Sequence, residues 1–463
     1  MTEETVFSDN IQIDPFPMVQ VLEFSMKHQL NDHAYITCSG IISEENHDSY
    51  VSRISSGRPI EVTASKQLPE GERTTFFAGR VQDIHIHKRS NVYHLELQAV
   101  SATIVYDIER KSRSFQQIGI NYDQLLKQII SPYPNANIIN PLAQGQKVEQ
   151  LLVQHEETTW EFMKRIASRM GGSIVGHVQL EKPWLYFGLP GVPSQGELIA
   201  HDYDLHHDFL GFEKLTKNTD HHVFQSAFSN YKITSRQLHY LGDQVVFQGQ
   251  EQQIIDVKRK LTNGLLLNTY LLGEVQITTR QPILNTRLNG LSLNGVVRAV
   301  RSDQVQIQLD IDDNPQASYW FTHSTTYTSD NNVGIYWMPE EGDCVRVYFP
   351  TTNEREAYAI SAVRTAGSDL DPNVKILKHP SGATIILAPD RITIIHGDST
   401  IVLKEGIEIQ SNGNITMSGQ QNINIEAHQI LMDAAEQIKL SVNYNSVTID
   451  GAIVLSGTDV KMN

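Results

Sequence analysis

The chain has 463 residues and a formal net charge of −16, and 40% of its residues are apolar. This length predicts two to four domains, and the acidic balance argues against binding to the phosphate backbone of nucleic acids. The N-terminal residues MTEETVFSDN lack the apolar run of a signal peptide, and no stretch of the chain is long and apolar enough to span a bilayer. We therefore expect a protein that is synthesised in the cytoplasm and has no nucleic-acid partner.

Residues 1–288 have the pattern of a mainly β region with a few helices. Segments such as ITCSGIIS, PIEVTAS and VYHLELQAV are typical of short strands. NYDQLLKQII has helical periodicity, and a second predicted helix is capped by Thr158 or Thr159 and ends at Gly171-Gly172. The apolar face of this second helix consists of Trp160, Met163, Ile166, Ala167 and Met170.

The sequence offers little catalytic chemistry. His155-Glu156 begins a zinc-protease HExxH motif, but Thr159 occupies the position of its second histidine. GLSLNG has one residue too many for the elbow that exposes a nucleophilic serine. Cys38 and Cys344 lie in separate strand-like segments, so we expect buried, reduced thiols. We predict no catalytic residue and expect that the chain is not an enzyme.

Two groups of histidines could supply metal ligands. His85 and His87 place two imidazoles on one face of a strand, and the segment HDYDLHHD mixes imidazoles with carboxylates. Either group needs a further ligand from elsewhere in the chain. Without one, a solvated polar surface is the ordinary interpretation, so we expect neither a metal nor a cofactor, while the second group leaves the question of a metal open. That second group comprises His201, Asp202, Asp204, His206, His207 and Asp208.

Residues 289–366 have the pattern of a small closed barrel. GVVRAVR turns at Ser302-Asp303 into QVQIQLDI, and CVRVYF follows later. About five short antiparallel strands in so few residues predict a barrel of the OB type. That fold often binds oligonucleotides, but the acidic charge opposes this, so we expect a structural collar. The alternating apolar positions are Val305, Ile307, Leu309 and Ile311, then Val345, Val347 and Phe349.

The region 375–463 contains a repeat. Apolar pairs separated by one residue recur every six to nine residues, and turn-forming dipeptides such as Ser418-Gly419 lie between them. The spacing of two puts both members of a pair on one face of a short strand, and such a repeat predicts a solenoid. The predicted core consists of Ile385, Leu387, Ile392, Ile394, Ile401, Leu403, Ile407, Ile409, Ile415, Met417, Ile423, Ile425, Ile430, Met432, Ile438, Leu440, Val447, Ile449, Ile453, Leu455, Val460 and Met462.

Two kinds of solenoid fit this repeat. A three-faced helix made by one chain would have barely three coils, whereas three chains around one axis would build a long prism with one strand of each chain per layer. We favour the second, an intertwined triple-stranded β-helix in a homotrimer. The region has a single aromatic residue, Tyr444, and sugar-binding solenoids present aromatic platforms. A mechanical role is therefore expected.

Two motifs carry a family resemblance. The segment WMPEEGDCVRVYF resembles the OB-domain signature of contractile-tail spike proteins, which include the VgrG proteins of type VI secretion and the hub and spike proteins of phage tails. The segment HEETTWEFMKRIASRMGG resembles the hub motif of the same family. The matching residues are Pro339, Gly342, Asp343, Val345, Val347 and Phe349 in the first, and Glu157, Trp160, Phe162, Arg165, Ala167 and Gly171 in the second.

The resemblance implies a homotrimeric central spike and hub that caps the inner tube of a contractile injection machine and pierces a target envelope. Residues 1–288 would form a hub of two β-barrel-like units, 289–366 the OB-fold collar, and 375–463 the spike. The implied partners are inner tube and baseplate proteins, a PAAR-like tip protein at Val460 and Met462, and, transiently, a target membrane, with effectors left open. The protein would be assembled into a phage-tail-like particle or secretion apparatus and delivered to, or released outside, the cell.

The alternative interpretation is a tailspike-like β-helical protein that binds or depolymerises polysaccharide. It requires paired carboxylates and aromatic residues that stack on sugars, and the repeat lacks the aromatics. Glu405, Glu408 and Glu426 are more typical of solvated faces. The sequence leaves open which machine is involved (phage, tailocin, extracellular injection system or type VI system), which cell is its target and which payload it carries.

Overall fold

The computed structural model describes residues 5–55, 61–67, 73–218, 228–273, 282–314, 317–326, 335–360, 371–443 and 445–449. The chain divides into two compact units, Met1–Thr365 and Ala366–Asn463. Both are built mainly of β-strands, as predicted, and the α-helices of the described residues all lie in the first unit. None of these helices is both long and apolar enough to cross a membrane.

The first unit combines strands with four described α-helices. In chain order its elements are β1 (Ile11–Asp14), β2 (Gln20–Gln29), β3 (Tyr35–Ile42), α1 (Glu44–Ser55), β4 (Glu61–Gln67), β5 (Arg73–Arg89), β6 (Val92–Ser101), β7 (Arg110–Phe115), α2 (Tyr122–Ile130), β8 (Asn137–Ile139), β9 (Leu152–Thr158), α3 (Thr159–Arg169), β10 (Ile174–Gly176), β11 (Trp184–Phe187), β12 (Asp202–His207), α4 (Phe209–Asn218), β13 (Ser229–Ser235), β14 (Gln244–Phe247), β15 (Gln250–Thr262), β16 (Leu265–Gly273), β17 (Ser292–Arg301), β18 (Gln304–Leu309), β19 (Trp320–Thr322), β20 (Cys344–Tyr348) and β21 (Tyr358–Ile360). Short 3₁₀ helices include Thr286–Leu288 and Glu354–Glu356.

One continuous antiparallel sheet joins the two halves of residues 1–288. Its strand order is β1-β4-β5-β6-β3-β2-β15-β16-β13-β12, with β14 paired to β15. The link between the halves is the pairing of β2 with β15, in which Met26 lies opposite Arg259. One core surrounds Phe24 and Phe76, and another surrounds Ile254 and Tyr270. One sheet thus runs through both halves, and the division of this region into two β-barrel-like units stays a prediction.

Helices α2 and α3 pack over a third core in this unit. The side chain of Thr158 accepts a hydrogen bond from the backbone N of Glu161 at 3.1 Å, and the Glu161 carboxylate accepts one from the backbone N of Thr158 at 3.0 Å. This reciprocal capping box fixes the start of α3. Gly171, with φ of +70°, follows its end. The helix predicted from the sequence is confirmed, with Thr158 as its cap.

The small barrel predicted after residue 289 is also present. Its strand order is β19-β18-β17-β20-β21, and a parallel bridge between His323 and Ala359 closes the sheet on itself. This order, with the first strand between the second and fourth, is that of an OB fold. The predicted interior positions are buried at Val305, Ile307, Leu309, Val345, Val347 and Phe349, while Ile311 lies beyond β18 and is only partly buried.

The second unit begins with a five-stranded antiparallel meander. Its strands are β22 (Lys375–Lys378), β23 (Thr384–Ala388), β24 (Arg391–His396), β25 (Ser399–Leu403) and β26 (Ile407–Gln410), and a hairpin of β27 (Ile438–Val442) and β28 (Asn445–Ile449) follows. Neighbouring strands here come from one chain, whereas the intertwined arrangement takes them from different chains. Because this structure contains one chain, only its own strands are available for pairing, and the intertwined β-helix stays a prediction.

The two cysteines differ in burial. Cys38 lies in β3 and is buried, and burial raises the pKa of its thiol to about 12. Cys344 lies at the start of β20 and is only partly buried. The prediction of buried, reduced thiols is thus correct for Cys38. Cys344 is more exposed than predicted because it alternates with the buried Val345 and Val347 and so lies on the opposite face of β20.

Candidate functional site: a buried ionic junction

The hub-like motif centres on a buried arginine of α3. Arg165 has a side chain with 0% exposure. Its Nε and Nη2 atoms donate to the two carboxylate oxygens of Glu157, each at 2.8 Å, and Nη2 also donates to the carbonyl of Val153 at 2.7 Å. Such a two-pronged contact uses the fixed fork geometry of a guanidinium group. The motif therefore places its acid and its arginine in one ion pair.

The remaining donor of Arg165 reaches the OB barrel. Its Nη1 atom donates to Oε1 of Glu354 at 2.7 Å, and the other oxygen of Glu354 accepts from Nη2 of Arg169. Glu354 lies in the 3₁₀ helix Glu354–Glu356 and is also 0% exposed. Two guanidinium groups thus face two carboxylates, so the buried charges balance. We call Glu157, Arg165, Arg169 and Glu354 the ionic junction.

The charge state of the ionic junction follows from its contacts. Burial lowers the pKa of Arg165, but the hydrogen bond to Glu157 and the charge of Glu354 act in the opposite direction and outweigh it, so the pKa is raised. Arg165 therefore stays a cation throughout the physiological range. A buried pair of this kind is costly to break, because removal of one partner leaves the other charge uncompensated.

Strand β9 delivers Glu157 to this position and also enters the barrel core. Leu151, just before β9, and Val153, within it, are buried among the barrel residues Val297 and Phe349. Glu157 directly precedes Thr158, the cap of α3, and Arg165 lies two helical turns after the cap. This spacing puts the Arg165 guanidinium group on the same side of α3 as the Glu157 carboxylate. The same short segment therefore supplies both apolar and ionic contacts to the barrel.

A second polar link to the barrel comes from β7, the strand that pairs with β9. Ser114, in β7, donates from its backbone N and its Oγ to the two carboxylate oxygens of Asp312, both at 2.5 Å. Gln116 donates to the carbonyl of Ile307 at 3.1 Å and accepts from the backbone N of Ser318 at 3.3 Å. Burial raises the pKa of Asp312, the hydrogen bonds from Ser114 oppose this, and the net shift is upward.

The other residues of the hub-like motif support α3. Trp160 is buried, donates from Nε1 to the carbonyl of Asn31 at 3.3 Å and packs against the His33 ring at 4.1 Å between centroids. Phe162 lies beneath the guanidinium group of Arg165, whose Cζ is 5.2 Å from the ring centroid. Ala167 is fully buried. All of the motif residues thus serve packing, capping or the ionic junction.

The barrel signature forms a turn followed by a strand. Gly342 has φ of +94°, a backbone conformation that residues other than glycine rarely adopt. Its N–H donates to the carbonyl of Val297 at 2.9 Å. The carboxylate of Asp343 accepts from the backbone N of Glu340 at 2.8 Å, which tightens the turn. Pro339 is buried at its start. The signature therefore encodes the entry into β20.

The sequence did not indicate Glu354, Asp312 or Ser114. Glu354 lies in the polar stretch TTNEREAY, which has the composition of an ordinary turn. Its partner Arg165 is 189 residues away. No local spacing rule reports such a contact, so the barrel half of the ionic junction could be found only from the fold.

The two histidine groups have different outcomes. His85 and His87 meet a third group, Glu96 of β6, whose potential ligand atoms lie within 4.8 Å of theirs. Most of the second group lies in the exposed strand β12, and its first and last members flank that strand; successive side chains of a strand point to opposite faces. His207 there contacts Ser229 Oγ at 2.8 Å. Among the described residues, no three ligand groups of the second segment converge.

The predicted core pairs form what we call the apolar ladder on one face of the meander. In the antiparallel register, Ile394 lies opposite both Ile385 and Ile401. A second row on the same face places Leu387 opposite Ile392. The full ladder also includes Leu377, which the sequence analysis did not predict; it consists of Leu377, Ile385, Leu387, Ile392, Ile394, Ile401, Leu403, Ile407 and Ile409. These side chains are 37–73% exposed. A continuous apolar face of this kind is typical of an interaction surface.

The later core pairs are exposed as well. Ile415, Met417, Ile423, Ile425, Ile430, Met432 and Leu440 are at least half exposed, and Ile438 is partly buried. For Val447 and Ile449 the structure describes the strand β28 but not the side chains. Ile453, Leu455, Val460 and Met462, including the predicted tip contact, lie outside the described residues.

Known structures show the same fold, although neither sequence-family profiles nor the sequences of curated proteins match the chain. An E. coli component of the type VI secretion system, structurally similar to the T4 bacteriophage tail proteins gp27 and gp5, aligns over 76% of this chain and 99% of its own, with a TM-score of 0.52 and 13% identity. A chain of the half-lidded Francisella PdpA–VgrG complex aligns over 88% of both chains, with a TM-score of 0.55 and 10% identity. The lidless form of that complex aligns over 86% of this chain and 97% of its own, with a TM-score of 0.53 and 9% identity.

These alignments cover between 76% and 88% of the chain. The identities are too low to transfer residue roles, and what they establish is the fold. The chain therefore has the fold of VgrG and contractile-tail hub-and-spike proteins, as its two sequence motifs indicated.

Proposed function

We propose that the chain is the central hub and spike of a contractile injection machine. In this proposal it acts as a homotrimer that caps the inner tube and pierces the target envelope by transmitting force. The observation that carries the proposal is the likeness in fold to a type VI secretion component, which extends over 76% of this chain and 99% of that one. Residues 1–288 serve as the hub, 289–366 as the collar and 375–463 as the spike.

The ionic junction suits a part that transmits force. Its buried guanidinium groups and carboxylates hold the α3 layer and the barrel in one geometry, and the residues of β9 lie in the barrel core. Buried and paired charges resist sliding because any displacement leaves a desolvated charge without its partner. The hub and collar thus move as one piece when the tube pushes. This role is mechanical and requires no catalytic residue.

The apolar ladder supports the trimer. Its nine described side chains are each more than one third exposed in a single chain. Around a threefold axis, three such faces would bury one another, with about 1.5–3 kcal/mol of stabilisation for each side chain that becomes fully buried. A closed prism also leaves no free lateral edges for unwanted strand pairing. Three copies of this chain are therefore the partners we assign to the ladder.

The remaining partners follow from the proposed positions of the hub and the spike in the machine. An inner tube protein and baseplate proteins would contact the hub, a PAAR-like protein would cover the tip at Val460 and Met462, and the target membrane would be met transiently. The solved PdpA–VgrG complexes show a chain of this fold assembled with another protein. The assembled particle or apparatus, rather than the cytoplasm, would be the working location.

Electron cryomicroscopy of particles from producing cells tests the proposal. Contractile particles would be sedimented and labelled with an antibody against this chain, with particles from cells that lack the gene as the control. We expect labelled threefold density at the distal end of the inner tube. Particles without the chain would contradict the proposal, as would specific hydrolysis of cell-wall or capsular glycans by the purified protein.

A further inference from the structure

Three histidines and a glutamate share one face of the β5–β6 hairpin, close to its turn at Ser90-Asn91. The register places His85 opposite Glu96 and His87 opposite His94. Alternate residues of a strand point to the same face, and directly opposed residues share it. All four side chains therefore project on one side of the sheet, which the sequence alone showed only for His85 and His87.

The distances within this group are short. The potential ligand atoms of His85, His87 and Glu96 all lie within 4.8 Å of one another. The Nδ1 atom of His87 is 4.0 Å from Oε1 of Glu96. The rings of His87 and His94 stack at 5.3 Å with an interplanar angle of 10°. Two imidazole nitrogens and one carboxylate oxygen thus lie close together beside the sheet.

The Nδ1 atom of His87 lacks a hydrogen-bond partner among the described residues, although the atom is inaccessible to solvent. A buried polar atom without a partner is costly, and native proteins rarely retain one without a compensating role. Glu96 is near but beyond hydrogen-bonding distance, and its side chain is 57% exposed and therefore free to move. An ion between the imidazole and the carboxylate would satisfy both groups.

We propose that this face binds a divalent transition metal of the zinc class through the imidazoles of His85 and His87 and the carboxylate of Glu96. Neutral imidazole and carboxylate are preferred ligands of Zn²⁺. Donor atoms of a tetrahedral site stand about 3.4 Å apart for bonds of about 2.1 Å, so the side chains must close by roughly an ångström. Rotation of the exposed His85 and Glu96 side chains provides that movement.

Three protein ligands leave the fourth position of a tetrahedral ion open. Water fills it unless His94, which already stacks on His87, turns toward the ion. In either form the metal joins two neighbouring strands of the large sheet. It would stabilise the folded chain by mass action, because it binds the folded hairpin and not the unfolded chain. This inference is independent of the proposed injection function.

Metal titration of the full chain tests this site. The protein is produced without a histidine tag, freed of metal with a chelator, and titrated with Zn²⁺ by calorimetry and with Co²⁺ by visible absorption, which reports the ligand geometry. We expect one ion per chain. His87→Ala and Glu96→Gln should each weaken binding at least about tenfold, since even the loss of an outer-shell partner costs about 10–100-fold.

Two matched variants serve as controls. Gln98→Ala changes an exposed residue of β6 on the same face, opposite Asp83, and should leave binding unchanged. His206→Ala tests the other histidine-rich strand and should also have no effect. Circular dichroism of the metal-free variants verifies that each is folded. The proposal is overturned if millimolar Zn²⁺ does not bind, or if binding survives His87→Ala and Glu96→Gln, including a result in which only His206→Ala removes it.

Discussion

Nη1 of Arg165 lies 2.7 Å from Oε1 of Glu354, although 189 residues separate the two in the chain and neither side chain is exposed. This contact joins the end of the hub-like motif to the barrel. Since a buried ion pair costs much to break and contributes little over an apolar substitute, its value lies in fixing one arrangement of α3 and the barrel.

Glu354→Ala should destabilise the first unit strongly. Removal of this carboxylate leaves Arg165 and Arg169 without one of their two counter-charges, and breaking a buried pair in this way costs about 3–5 kcal/mol. Urea unfolding followed by fluorescence measures the change. Glu149→Ala is the control, because Glu149 is an exposed partner of Arg355 at 4.0 Å and such pairs contribute at most about 1 kcal/mol. Equal losses in both variants would refute the structural role of the ionic junction.

The free energy of unfolding should decrease as the pH falls below about 6.5, and part of this decrease should come from His28. Burial, followed by the charge of Arg259, lowers the pKa of this histidine to about 3. Between its ordinary value of about 6.5 and pH 3, the unfolded chain binds a proton there that the folded chain does not. The stabilisation that goes with a neutral His28 is therefore fully present above pH 6.5. As the pH falls from there toward 3, the free energy of unfolding decreases by up to about 1.4 kcal/mol per pH unit.

The variant His28→Gln isolates this effect. It removes the titrating group while keeping a polar side chain of similar size, so its unfolding free energy should decrease less than that of the wild type between pH 7 and pH 5. Both proteins would be unfolded with urea at each pH. Identical pH dependence in the two would show that His28 does not remain neutral in the folded protein.

In the repeat, Ile425→Lys should be far more damaging than Glu426→Lys. If Ile425 faces the threefold axis, the substitution places three ammonium groups around it and loses apolar burial of about 1.5–3 kcal/mol per side chain. Glu426 should face solvent, where a substitution changes stability by about 0.5 kcal/mol or less. The readouts are thermal melting of the trimer and protease resistance of residues 375–463. A worse result for Glu426→Lys would reverse the assigned register.

The purified chain should be an obligate trimer. A single copy exposes the apolar ladder and the edges of its meander, which favours association. Light scattering at low micromolar concentration should report three times the chain mass of 52.2 kDa. A folded monomer at that concentration would exclude the trimeric spike while leaving the fold of the first unit unaffected.

Features that depend on neighbouring residues could be predicted from the sequence, and contacts between distant segments could not. The capping box of α3 and the alternating residues of β18 are encoded within a few neighbours, and both were predicted correctly. Glu354 and Glu96 were missed because their partners become neighbours only through strand pairing or barrel docking. The single sheet of residues 1–288 was missed for the same reason, since the pairing of β2 with β15 joins segments far apart in the chain.

The sharing of Leu151 and Val153 with the barrel core has a consequence during synthesis. These residues leave the ribosome long before β17 to β21, the strands that cover them, have been made. Domains generally fold as they emerge, N-terminal first, but here an early segment must wait with its apolar side chains uncovered. The nascent chain thus passes through an interval in which these two side chains lack their barrel neighbours, and a barrel cut out at residue 289 would lack part of its own interior.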